Sequence, residues 1–333
     1  MEPILLEDGC WPAAVAVSGG GDSTALMLLL AEWANDSGRE KPVVLTVDHG
    51  LVAGSDRVAA EVGVKARNLG LDAHVLEWRG RKPLSDIEAA ARAARYRLMA
   101  NWCRAHRHHA LYVAHTLEDQ AETFLLRLAR GSGVDGLAAM REIAAFPLSG
   151  FEGMRVMRPL LQVPRARLRA LLATRDLDWH DDAMNADPRF ARTRLRAIWP
   201  QLAAAGLTAE RIADAASHLA RARAALDCDV VALLAQASRE SGKSVLLDGM
   251  ALAAAPREIG LRALARVLMQ VSARDYRPRF ERLEGLFDAI CVGTFGGGRT
   301  LHGCAVRPAP KRHQCFGPRT LLIGSEPRIG GEY

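Results

Sequence analysis

Short apolar runs alternate with amphipathic stretches through the first half of the chain. Residues 13–17 are apolar and end in glycines. Residues 23–35 follow with apolar positions at helical spacing, through Ala25, Leu26, Leu29, Leu30 and Trp33. The β-branched run 42–47 reads as a strand, 55–69 as a helix and 73–78 as a strand. Ser85, Asp86, Ile87 and Glu88 form a capping box that opens an Ala/Arg-rich helix to 104. Residues 110–115 are again apolar; Thr116 is placed to cap the next helix and Gly131 to stop it. Strand, crossover helix and strand in repetition predict an α/β domain built on a parallel sheet. Ligands of such sheets bind beyond the carboxyl ends of the strands. Three polar clusters stand at those ends: 18–23, 48–50 and 115–119.

The second half changes character. Residues 154–198 are irregular and Arg-rich, and a break is expected at 200–206. Residues 208–238, 256–272 and 278–291 carry helical patterns, 294–298 form a glycine-rich turn, and 301–306 and 320–323 read as short strands. The expected organisation is a nucleotide-type α/β domain over 1–200, a helical domain over 205–292 and a small β-containing segment over 293–333.

Composition narrows the class. The 333 residues are 49% hydrophobic, 25% charged and 5% aromatic, as in an ordinary globular protein whose core is aliphatic. The net charge of +6 favours a polyanionic partner without requiring one. Six scattered cysteines include no C-x-x-C pair and no zinc spacing, which suits a reducing, cytoplasmic setting. Neither a secretory leader nor a membrane span of about 18 apolar residues is expected.

Ser18, Gly19, Gly20, Gly21, Asp22 and Ser23 join a strand to a helix. Glycines let the backbone bend and approach a ligand, and helix-terminal N–H groups favour an anion. The segment is therefore read as a phosphate cradle, against the plain alternative of a tight turn. It has no Walker lysine, and no glycine at position 24 completes a dinucleotide motif. The pattern S-G-G-x-D-S resembles the PP-loop of ATP pyrophosphatases, which cleave ATP to AMP and pyrophosphate. In the third cluster, Glu118, Asp119 and Glu122 share a helical face after His115. They favour the helix dipole in any case, but beside a triphosphate site their oxygens suit Mg²⁺ or a cationic substrate. Asp48, His49 and Gly50 end the second strand, either as a turn or as part of the nucleotide site.

Four segments together resemble the tRNA(Ile)-lysidine synthetases: 18–23; Asp48, His49, Gly50 and Leu51; 114–136, AHTLEDQAETFLLRLARGSGVDG; and 182–196, around Asn185, Asp187, Phe190 and Arg192. Residues 91–96 and 158–160 agree more weakly. Glu118 departs from the family's usual Asp, and Met184 and Thr193 from its Ser and Asn. The agreement is strong over 13–200 and thin beyond.

The resemblance implies an ATP-dependent carbon–nitrogen ligase. It would adenylate the wobble cytidine of a CAU-bearing isoleucine tRNA and then replace AMP by free L-lysine. Residues 18–23, Asp48, His49 and His115 would bind ATP. Asp119 would hold Mg²⁺, and Asp22, Asp119, Glu122 and Arg95 would carry the chemistry, Glu122 by recognising the lysine cation. Arg95 and Arg158 suit phosphate oxygens. Arg189, Phe190, Arg192, Arg194 and Arg196 would contact tRNA, with Phe190 stacking on a splayed base and Arg211, Arg221 and Arg223 extending the footprint; the plain alternative is a solvated basic face. No membrane partner is expected, and a homodimer is left open. Competing readings are a tRNA thiolase, for which the catalytic half offers only the unpaired Cys10 and Cys103, an amide-forming pyrophosphatase, and a non-catalytic ATP sensor.

Overall fold

A computed structural model describes residues 11–326 apart from 53, 81, 84–86, 181–190, 275 and 294–295. It divides into two compact units, residues 1–220 and 221–333. The division falls inside the helix Ala209–Ala237; in the region 200–206, where a break is expected, a short helix is followed by a turn at 205–206, and Pro200 opens that helix. It occupies the first turn of Trp199–Ala204, where a missing N–H costs nothing.

The first unit is an α/β layer structure. Its strands are β1 (Ala14–Ala16), β2 (Val43–Asp48), β3 (Ala73–Glu77), β4 (Ala110–Tyr112), β5 (Ile143–Ala145) and β6 (Arg155–Met157), in the order β3-β2-β1-β4-β6-β5. Pairing is parallel from β3 to β6, and β5 adds antiparallel at the edge. The sequence pattern does not foresee β5 and β6. Three-residue strands are too short to show a period, and their pairing is settled by neighbours distant in the chain.

Side chains alternate across this sheet, as the strand repeat requires. Val15, Val17, Val44 and Tyr112 pack on one face with α1 (Gly21–Asp36), α2 (Ser55–Asn68) and α6 (Arg165–Thr174). Ala14, Leu45, Leu111 and Val113 pack on the other with α3 (Ile87–Ala105), through Tyr96, Met99, Ala100 and Cys103. The capping box proposed at 85–88 begins outside the described residues. Strands buried on both faces read as continuous apolar runs, which is why residues 13–17 lack polar alternation.

Three further helices complete the site region: α4 (Leu117–Leu128), α5 (Val134–Leu137) and α7 (Ala191–Ala197). Leu117 and Ala121 of α4 form a small core with Ala209, Ile212 and Ala213, at the start of the helix Ala209–Ala237. α8 is Trp199–Ala204 and α9 is this Ala209–Ala237 helix.

The second unit is more β-rich than expected. β7 (Ser238–Ser241), β8 (Ser244–Asp248), β9 (Arg299–Leu301), β10 (Cys304–Pro308) and β11 (Thr320–Ser325) form a sheet in the order β7-β8-β11-β10-β9, with antiparallel pairing throughout. α10 (Gly249–Ala254), α11 (Arg257–Ser272) and α12 (Phe280–Val292) share its core through Leu252, Leu264, Leu268, Phe287 and Ile290, with Leu247 and Ile323 from the sheet. The expected helices at 256–272 and 278–291 are present. The predicted strand 301–306 is instead a hairpin that turns at His302 and Gly303, both at positive φ.

Candidate active site

In the strand order, β1 has β2 on one side and β4 on the other, so the connections leave in opposite directions at β1/β4. A crevice opens at the carboxyl ends of strands where the order reverses in this way. Residues 18–23 follow β1, and His115–Asp119 follow β4.

The loop is built by its glycines and serines. Gly19 adopts φ +87°, and a Cβ there would stand 2.9 Å from Val58 Cγ1, so any other residue is strained and crowded. Gly20 is the N-cap of α1, and the helix starts at Gly21, two residues earlier than the apolar pattern implies. The loop is braced from within: Ser23 Oγ donates to Gly20 O at 2.9 Å and accepts from Ser18 N–H at 3.2 Å. From the other side, His180 N–H donates to Gly19 O at 2.9 Å, and the His180 ring bonds Glu61 of α2. The N-terminus of α1 thus offers free N–H groups and the positive end of a dipole to an anion.

Asp22, on the first turn of α1, meets a residue that the sequence pattern does not single out. Arg165 Nε–H donates to Asp22 Oδ2 at 2.8 Å, while its Nη2 lies 3.4 Å from Asp119 Oδ1 and 3.4 Å from Thr116 Oγ1. The backbone N–H of Arg165 donates to both carboxylate oxygens of Glu118, each at 3.0 Å. Glu118, the position that departs from the family's usual Asp, spans the gap from α4 to the start of α6. Burial pushes the Asp22 carboxyl up, and Arg165 offsets this only in part. Burial also works against the charge on Asp119, but Arg165 and the Thr116 N–H outweigh it and hold its pKa down. Asp119 also completes the capping box of α4: its Oδ2 accepts from Thr116 N–H at 2.9 Å and Thr116 Oγ–H at 3.1 Å. Asp22 Oδ1 is buried and has no hydrogen-bond partner among the described residues.

A second cluster lies behind. Arg158, only 8% exposed, donates from Nε to His115 Nδ1 at 3.2 Å and from Nη1 to Arg141 O at 2.8 Å. Desolvation, with Arg158, Arg92 and Arg192 close by, pushes the His115 imidazole down to about 4 despite the charge of Asp119. Its ring is therefore neutral at pH 7. Arg95 is half-buried on α3.

Asp48 and His49 make a turn at the end of β2, next to β1. Asp48 Oδ1 accepts from Gly50 N–H at 3.0 Å and from the Ser55 hydroxyl, and these bonds hold its carboxyl below the usual range. His49 Nδ1 accepts from Leu51 N–H at 3.1 Å.

Glu122 is placed differently from the expectation. It is 2% exposed, and Arg196 of α7 donates to it from Nε at 2.6 Å and from Nη2 at 3.2 Å, with Arg192 at 3.9 Å. The carboxylate expected to take up the lysine cation already holds one from the chain itself. Two of the arginines assigned to tRNA thereby face a buried carboxylate, while Arg194 is the exposed arginine of α7. Arg189 and Phe190 lie outside the described residues. Arg211 and Arg221 are exposed, but Arg223 is buried.

Residues 7–202 match the PP-loop domain family. The chain is 44% identical over 301 residues to the tRNA(Ile)-lysidine synthase of Bradyrhizobium sp. strain BTAi1, covering 87% of this chain and 83% of that protein. This chain belongs to the tRNA(Ile)-lysidine synthase family. The family member of Methylobacterium nodulans is 43% identical over 86% of this chain and 83% of its own, and that of Wolbachia pipientis wMel 35% over 95% and 71%. Among solved structures, the U34-tRNA thiolase NcsA from Methanococcus maripaludis, with its [4Fe-4S] cluster, superposes with a TM-score of 0.50 at 16% identity over 63% of this chain and 72% of that one. That likeness is one of fold. Among the described residues of this lysidine synthase family member, no cluster of three or more His, Cys, Asp or Glu side chains could hold a metal ion, and Cys103 is buried with its thiol pushed up to about 12. No helix among them is long and apolar enough to cross a membrane.

Proposed function

We propose that this chain uses ATP to join free L-lysine to C2 of the wobble cytidine in the CAU anticodon of an isoleucine tRNA. The reading is carried by one observation: the 18–23 loop stands at the β1/β4 crevice, braced internally, with α1 N–H groups open to an anion, in a chain of this family.

In the first step the cytidine C2 carbonyl oxygen attacks the α-phosphorus of ATP, and pyrophosphate leaves. Backbone N–H groups of the loop and the hydroxyl of Ser18 bind the leaving group, in place of a Walker lysine. Mg²⁺ fits the residues present: Asp22 Oδ1 is a buried, unpartnered oxygen, Asp119 is ionised nearby, and this ion is commonly held by one or two carboxylates plus phosphate oxygens. When bound, it would offset negative charge on the pyrophosphate. Asp48 and His49 stand where they can meet the nucleotide, and neutral His115, held by Arg158, can accept a hydrogen bond without adding charge. In the second step the ε-amine of lysine, having lost a proton, attacks C2; the C2–O bond breaks and AMP departs. Recognition of that amine by Glu122 requires Arg196 to give way. Arg95 is kept as a phosphate-side residue, and Arg194 as the tRNA contact of α7.

The test is incorporation of labelled lysine into a CAU-bearing isoleucine tRNA transcript, with an initiator methionine tRNA as control. ATP- and tRNA-dependent incorporation is expected for the first only. ATP hydrolysis indifferent to both tRNA and lysine overturns the reading.

A further inference from the structure

Arg165 enters neither the sequence motifs nor the two chemical steps above, yet it is the side chain on which the site converges. Its backbone is fixed, since both oxygens of Glu118 hold its N–H at 3.0 Å at the start of α6. Its guanidinium bridges Asp22 Oδ2 at 2.8 Å and Asp119 Oδ1 at 3.4 Å, with 24% of the side chain still open to solvent. Asp22 and Asp119 come from different helices, α1 and α4, so a single cation balances two like charges at the mouth of the crevice. A guanidinium does this with fixed donors in one plane, while the second oxygen of Asp22 is left unpaired.

We propose that Arg165 is a positioning residue that serves as the resident counter-cation of the Asp22–Asp119 pair in the nucleotide-free enzyme, excluding a divalent cation until ATP brings one. The guanidinium then has phosphate oxygens to move to, for which its paired donors are suited. A metal arriving alone must displace a cation with nowhere favourable to go; a metal arriving with a triphosphate supplies the replacement partner. Metal and nucleotide binding are thereby coupled. The proposal rests on the reading of Asp22 and Asp119 as metal-facing carboxylates.

The test is Mn²⁺ binding, followed by its electron paramagnetic resonance signal, to the full-length wild type and to Arg165→Gln, each with and without a non-hydrolysable ATP analogue. Removing a positive charge a few ångströms from a cation site changes affinity by on the order of tenfold or more. Arg165→Gln without nucleotide is therefore expected to bind Mn²⁺ about tenfold more tightly than the wild type, and Asp22→Asn in the same background is expected to abolish the gain. Arg165→Lys, which keeps the charge but cannot bridge both carboxylates, should gain a few-fold only, and it carries the test if the glutamine variant does not fold. Wild type that binds Mn²⁺ with the analogue, beside variants with unchanged nucleotide-free affinity, overturns this proposal alone. Wild type that binds no Mn²⁺ even with the analogue overturns the metal reading and this proposal with it.

Discussion

At the scale of single residues, the site is an arrangement of charges kept ionised or neutral by their surroundings. Gly19 has no substitute: at φ +87° an L side chain costs about 1–2 kcal/mol, before its crowding against Val58. Gly19→Ala is expected to lower thermal stability and weaken ATP binding together, measurable by differential scanning fluorimetry and nucleotide titration. Asp22→Asn or Ser23→Ala should abolish pyrophosphate release while leaving tRNA affinity, read by fluorescence anisotropy, largely intact.

His115 makes a pH prediction. Its folded pKa of about 4 lies below its ordinary value of 6.5, so in this window the unfolded chain binds the proton and the folded chain does not. Stability therefore rises with pH across the window and falls as pH drops from 6.5 towards 4. His115 is half-buried rather than fully enclosed, so the loss should be about 2 kcal/mol rather than the full equivalent of the shift. Melting temperature against pH should show this slope in the wild type, and a flatter one in His115→Asn.

At the scale of elements, α4 is the organiser. It caps itself through Thr116 and Asp119, holds the start of α6 through Glu118 and holds α7 through Glu122. The pair Glu122–Arg196 is unequal, with side chains 3% and 34% exposed. Arg196→Met strands a buried carboxylate and should cost about 3 kcal/mol, whereas Glu122→Gln leaves an arginine that water can reach and should cost about 1–2 kcal/mol. Urea unfolding of the two variants checks the order; equal costs would show that Glu122 is solvated in solution. This pairing also redirects the reading of 182–196: a run of arginines beside a phenylalanine suggests an RNA surface, but two of the three arginines described there, Arg192 and Arg196, face Glu122 of α4.

Several of these links were hidden for a definable reason. Residues 18–23, 48–50 and 114–136 are legible because each combines a strand end with a compact chemical pattern. Arg165 offers only a weak local signal: Pro164 ahead of an Arg/Leu-rich stretch marks a helix start, and a helix start can lie at a site. What makes it important is Asp22, 143 residues away in sequence. No local spacing encodes that distance.

At the scale of the whole molecule, the net charge of +6 and the exposed Arg194, Arg211 and Arg221 suit a tRNA backbone. Replacing Arg194 by Ala is expected to raise the tRNA KM and reduce the salt slope of binding by about one, with ATP affinity unchanged. Filter binding across a salt series reads this, and an unchanged slope would remove α7 from the interface. Arg223 is predicted to affect folding rather than tRNA affinity, since it is buried.

The amino-acid sequence by itself determined the α/β class, the PP-loop after β1 and the family, because strand–helix periodicity and contiguous motifs are local properties of the chain. It also placed the two longer helices of the second unit, α11 and α12, whose apolar stripes are long enough to show their period. Tertiary structure alone decided the strands β5 and β6, the five-stranded antiparallel sheet, the capture of Glu122 by Arg196 and the bridging of Asp22 and Asp119 by Arg165. Each of these depends on groups brought together across many residues, where burial removes the competing water and makes charge pairing decisive. The glycine-rich loop was visible in the order of residues; the guanidinium between Asp22 and Asp119 was visible only in the fold.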